Sequence, residues 1–178
     1  VRNSPNKAIT ASFGLIPVWA DSPKTGYSMI NARAETITSK PTFKKLISTK
    51  RCLVPASGYY EWRRLADKKI PYYFKLKDQD IFAFAGLYES FKDDDGHLIS
   101  SFCIITCKPN ALAAEVHDRM PVILHKKDET KWLDKTIIDP TKVLSLLTAY
   151  PANQMVTHQI STLVNNPKHD LPEVLKVS

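Results

Sequence analysis

What most restricts the fold of this chain is the rhythm of its apolar runs between residues 51 and 106. Residues 51–56, 59–64, 71–76, 81–90 and 98–106 each read as a strand, and the turn formers Asp78-Gln79-Asp80 and Asp93-Asp94-Asp95-Gly96 punctuate them. Hairpin spacing of this kind predicts an antiparallel sheet. The run Ile81-Phe82-Ala83-Phe84-Ala85-Gly86-Leu87 is apolar throughout, which predicts a central strand covered on both faces. Helical signals are fewer. Ser39 can cap a helix in which Phe43, Leu46 and Ile47 recur on one side, and Asn110 can cap a short alanine-rich helix ending near His117. Residues 128–134 and 140–148 read as further helices, residues 154–160 as a strand, and the tail as irregular. The predicted class is α+β, a single β-rich domain over residues 1–178.

Composition narrows the setting. At 178 residues with 43% hydrophobic side chains, one core can be filled. No apolar run approaches the roughly 18 residues needed to cross a bilayer and no secretory signal is visible, so a soluble cytoplasmic protein with no membrane role is expected. Cys52, Cys103 and Cys107 are odd in number and two flank an apolar run, the pattern of buried free thiols. The histidines are too scattered for a zinc site, so no metal is expected. The net charge of +7 attracts polyanions, although a solvated basic surface has the same composition. Lys44, Lys45, Lys50 and Arg51 form one basic cluster, and Arg63, Arg64, Lys68 and Lys69 another.

Several residues could carry chemistry. A strand over residues 29–36 would place Asn31, Arg33 and Glu35 on one face, either toward solvent or toward a ligand. Glu61 lies between Tyr59, Tyr60 and Trp62 after a glycine; if desolvated there, its carboxyl would be pushed toward neutrality and could trade a proton near pH 7. A strand with Glu61 facing water is the ordinary alternative. His117 sits where a helix gives way to Asp118-Arg119-Met120-Pro121, a junction that suits a titrating group or a carbonyl partner equally. Arg33 and Arg119 can fork onto phosphate oxygens or pair with Glu35 and Asp118. Phe13, Trp19 and Trp62 can stack on unpaired bases or fill a core.

Taken in order, Gly14-Leu15-Ile16-Pro17-Val18-Trp19, Asn31-Ala32-Arg33-Ala34-Glu35, the Arg51 to Trp62 block ending Gly58-Tyr59-Tyr60-Glu61-Trp62, Ala85-Gly86-Leu87-Tyr88 and His117-Asp118-Arg119-Met120-Pro121 resemble the SOS-response-associated peptidase (SRAP) family. The resemblance runs from about Phe13 to the Val164-Asn165 segment. It implies a curved, mainly antiparallel, barrel-like sheet with flanking short helices. It also implies an abasic-site sensor that crosslinks itself to single-stranded DNA, with a self-processing peptidase step and no cofactor, acting as a monomer. Asn31 would then position the nucleophile or the opened sugar, Glu61 would shuttle protons, and His117 would assist ring opening and reversal. Arg33 and Arg119 would grip phosphates, while Trp62, Phe13, Pro17 and Trp19 would pack against DNA.

Two departures stand out. Phe13 occupies a position where the family usually carries tryptophan. The family's nucleophile is an N-terminal cysteine exposed once the initiator methionine is removed, and none of Cys52, Cys103 or Cys107 matches it. The opening Val1-Arg2-Asn3-Ser4-Pro5-Asn6 leads to the expectation that a segment carrying that cysteine precedes Val1. A noncatalytic single-stranded-DNA-binding module and a peptidase acting on other proteins are the rival readings.

Overall fold

The computed structural model describes Val1 and residues 7–177. Strands β1 (Ser12–Phe13) and β2 (Asn31–Arg33) precede helix α1 (Pro41–Thr49) and β3 (Arg51–Ala56). Then come β4 (Tyr59–Arg64), β5 (Lys69–Leu76), β6 (Phe82–Lys92) and β7 (Leu98–Cys107). Helix α2 (Ala111–Ala114), β8 (Met120–Pro121), β9 (Ile123–Leu124), α3 (Lys126–Leu133), α4 (Thr141–Leu144) and β10 (Met155–Gln159) complete the set. No helix among the described residues is long and apolar enough to cross a membrane.

Contacts gather the chain into two compact units. The first comprises Val1–Val54, Ala83–Cys107 and Pro121–Thr148, and the second Pro55–Phe82, Lys108–Met120 and Ala149–Ser178. The first unit holds a sheet of order β1-β7-β6-β3, with β2 also on β7 and β9 on β6. The apolar run behaves as its composition predicts: β6 is central and every residue from Phe82 to Glu89 is buried. The expectation of a mainly antiparallel, barrel-like sheet needs correction. β1 and β2 run parallel to β7, while β6 is antiparallel to it, so this sheet is mixed. Parallel partners lie far apart in sequence and leave no hairpin signal to read. Neither sheet closes into a barrel among the described residues. The α+β class stands.

The second unit is organised on a three-stranded antiparallel sheet of order β10-β5-β4. Tyr59 stacks on Phe74 across the β4–β5 pair, ring centroids 4.9 Å apart and nearly parallel, and Phe74 is fully buried. The chain therefore passes from β3 to β4 by changing sheets rather than by turning a hairpin, because Pro55 and Ser57-Gly58 interrupt the ladder.

Several local predictions shift by a few residues. The strand foreseen over residues 29–36 is only Asn31–Arg33, and Ala34–Thr36 turns into a 3-10 helix that carries Glu35 off the strand face. Ser39 does not cap α1; Lys40 holds the cap position and Pro41 opens the helix, while Ser39 donates its hydroxyl to the Thr36 carbonyl. Leu46 and Ile47 are buried as the periodicity requires. Arg51 leaves the basic surface cluster: it is fully buried, with Nε donating to the Trp132 carbonyl at 2.6 Å and its Nη atoms to the carbonyls of Ile47 at 2.7 Å and Asp134 at 2.7 Å.

Candidate functional site

In the second unit, β4 brings Glu61 and Trp62 to the free edge of the sheet. His117 arrives from a different direction. Asn110 accepts the Ala113 N–H at 2.8 Å and so caps α2, and its amide nitrogen donates to the Tyr150 carbonyl at 2.7 Å, anchoring the short helix. The His117 N–H then bonds to the Ala113 carbonyl at 2.9 Å, which places the imidazole one turn beyond the helix.

There the ring meets carboxylates. His117 Nδ1 lies 4.0 Å from Glu61 Oε2 and 3.3 Å from Asp118 Oδ1. The Arg119 backbone N–H donates to the same Nδ1 at 3.1 Å. The Arg119 carbonyl also lies 3.3 Å from Nδ1, so this nitrogen can accept from the Arg119 N–H or, when protonated, donate to that carbonyl. Around the pair lies a cleft of about 530 Å³ lined by Glu61, Trp62, Arg64, Lys69, His117 and Asn165. Burial holds the Glu61 carboxyl above the usual carboxylate range. His117 opposes that rise, the Asp118 carboxylate adds to it, and a hydrogen bond from the Trp62 N–H lowers it. Of the two readings left open by the sequence, desolvated Glu61 is the one observed, with only 24% of its side chain exposed. A carboxyl whose affinity for its proton is raised, facing an imidazole within a polar cleft, can pass protons in either direction.

Trp62 is pinned in the cleft wall by a bond from Nε1 to Asn165 Oδ1 at 2.7 Å. Arg119 is half-buried beside His117. In the first unit, Asn31 and Arg33 are exposed on either side of buried Ala32 on β2, as the alternation predicts. Phe13 and Trp19 are also exposed, at 51% and 63%. Pro17 is buried within the loop, and its carbonyl accepts the Ala20 N–H at 3.0 Å. The loop is seated by Ile16 and Ala20 packing with Phe91, and it starts at Gly14, where φ is +114° and an added Cβ would sit 2.3 Å from the Gly26 carbonyl oxygen.

Asp118, Arg64, Lys69 and Asn165 gain a place in the site that sequence alone did not assign them. Asp118 stood in a recognised block but only as an arginine partner, and Asn165 comes from a distant segment with no local signal. Among the described residues, Asp93, Asp95 and His97 bring three possible metal-ligand atoms within 4.8 Å of one another. Their arrangement follows from the β6–β7 turn, where the His97 N–H bonds to Asp93 Oδ1 at 2.7 Å.

Residues 1–167 match the SOS response associated peptidase (SRAP) family, and the chain belongs to that family. It is 48% identical over 174 residues to the abasic site processing protein YoqW of Bacillus subtilis strain 168, covering 97% of this chain and 78% of that one. It is 33% identical over 186 residues to the abasic site processing protein HMCES of Xenopus tropicalis, covering 92% of this chain and 55% of that one. A crystal structure of a Bacteroides thetaiotaomicron protein superposes with a TM-score of 0.84 at 36% identity, covering 93% of this chain and 75% of that one.

Proposed function

We propose that the protein recognises abasic sites in single-stranded DNA and joins itself to them through an N-terminal cysteine, as a thiazolidine. The observation that carries this reading is the Glu61–His117 pair in the basic-walled cleft, in a chain whose relatives are named for abasic site processing. An opened abasic sugar presents an aldehyde. The neutral α-amine adds to it, Glu61 as the acid protonates the resulting hydroxyl, and water leaves to give the protonated imine. The cysteine sulfur then adds to the carbon of this protonated imine while the thiol proton returns to the Glu61 carboxylate, which closes the ring and restores the acid. His117 serves ring opening of the sugar and reversal of the adduct. Asn31 positions the sugar or the amine, and Arg33 and Arg119 hold phosphates, with Trp62, Trp19 and Phe13 against bases.

Within residues 1–178 no cysteine suits the role of nucleophile. All three are buried, and burial pushes the thiols of Cys52 and Cys103 up to about 12. In this reading, which follows the family resemblance, the reacting cysteine is one at a processed N-terminus, freed by self-cleavage after methionine.

The test is to incubate the full-length protein with a single-stranded oligonucleotide bearing one abasic site and to look for an adduct on a denaturing gel. The adduct is expected to form, to disappear when the N-terminal cysteine is replaced, and to form more slowly with Glu61→Gln. An adduct that persists without the cysteine and is trapped by borohydride would point to a lysine imine instead. Binding without any adduct would leave a noncatalytic single-strand-binding module. Arg33→Ala should weaken binding and lower the slope of log affinity against log salt by about 0.7, one phosphate contact on a single strand.

A further inference from the structure

One face of the three-stranded sheet extends beyond the cleft, which uses only the end of it at Trp62, Arg64 and Lys69. Strand alternation sends Tyr60, Trp62 and Arg64 to the same face of β4. The register aligns Tyr60 with Tyr73 on β5, Tyr73 with His158 on β10, and Arg64 with Lys69. The Tyr60 and Tyr73 ring centroids are 5.5 Å apart, and those of Tyr73 and His158 5.8 Å, so an unbroken row of rings crosses all three strands. Lys75, two residues beyond Tyr73 on the same face, is exposed, as are Arg64 and Lys69 toward the opposite end. On β5 the other face carries Phe74 and Leu76, both buried, so the core lies on that side.

The row is held in place by a specific device. An added Cβ at Gly58 would sit 2.2 Å from Tyr73 Cζ, so the ring occupies the space that a side chain there would fill, and the Tyr73 hydroxyl donates to the Ser57 carbonyl at 3.1 Å. Half-buried aromatic rings flanked by cations are what a sequence-tolerant single-strand site requires: every base has a face to stack, and the cations meet the phosphates. We infer that this face is a platform for the unpaired bases of single-stranded DNA that continue from the cleft, with Trp62 shared between the two. The inference rests on the reading of the cleft given above and extends its substrate from a lesion to a lesion with its flanking strand. Asp170, close enough to Tyr60 to help raise its hydroxyl after burial and Tyr73, opposes phosphates at that end of the row.

Fluorescence anisotropy with undamaged oligothymidylates of increasing length, on the full-length protein, tests the platform. Wild-type affinity should keep rising beyond the length that fills the cleft. Tyr60→Leu combined with His158→Ala should weaken binding to the longest strand by about fivefold or more and leave the shortest unchanged. Gly58→Ala, which drives the Tyr73 ring aside, and Lys75→Glu, on an exposed side chain that cannot endanger the core, should act in the same direction, whereas Asp170→Asn should tighten binding. Unchanged long-strand binding in all these variants, or equal losses at every length, would overturn the platform. Adduct formation on a short abasic oligonucleotide separates the two readings. If the adduct forms while the variants keep wild-type length dependence, the platform alone fails; if no adduct forms but length dependence is lost in the variants, the crosslinking reading alone fails.

Discussion

Glu61 shows how one carboxyl can link chemistry to stability. Its pKa is raised in the folded protein, chiefly by burial, so between the ordinary carboxylate value and the raised one the folded chain binds more protons than the unfolded chain. Stability therefore falls as pH rises through that window and stays lower above it. Glu61→Gln should remove this slope: urea midpoints compared between about pH 4 and pH 7 should show the variant gaining on the wild type as pH rises. A parallel pair of curves would refute the burial argument. The same residue marks the limit of what could be read beforehand. Its aromatic neighbours in sequence suggested desolvation but left a solvent-facing strand equally open. What decided between them was His117, more than fifty residues on and placed by the Asn110 cap, a juxtaposition that no local pattern encodes.

At the scale of elements, strands and helices whose signals are local were legible almost residue for residue, as with β3, β4 and the all-apolar β6. Pairing was not. β2 finds β7 in parallel at a distance in sequence, and β4 belongs to a different sheet from β3 although only Ser57 and Gly58 separate them. Arg51 is a similar case: its charge suggested a surface, yet its guanidinium bonds to carbonyls at the C-terminal ends of two helices, Ile47 of α1 and Trp132 with Asp134 after α3. These ends carry negative partial charge and unpaired carbonyls, so one cation satisfies both. Arg51→Met should cost on the order of 3 kcal/mol in urea unfolding, since it strands several buried acceptors. Arg51→Lys should recover only part of this, because a single ammonium cannot reproduce the fork. A loss below about 0.5 kcal/mol would mean that water or a shifted backbone replaces those bonds.

For the whole molecule, a charge of +7 set the expectation of a polyanionic partner but could not say where it would lie. Within the second unit, Arg64, Lys69 and Lys75 give that charge an address, while the burial of Arg51 removes one cation from the count at the surface. The buried cysteines carry a practical consequence. Cys52, Cys103 and Cys107 all lie in the first unit and are at most 5% exposed, so an alkylating reagent should leave them unmodified in the native protein and modify all three once that unit opens. Mass spectrometry after timed alkylation would then read the opening rate of this unit directly, and a native cysteine that labels within minutes would contradict the packing described. These three thiols make the first unit its own clock, since the label that each acquires with time dates the opening of the packing around it.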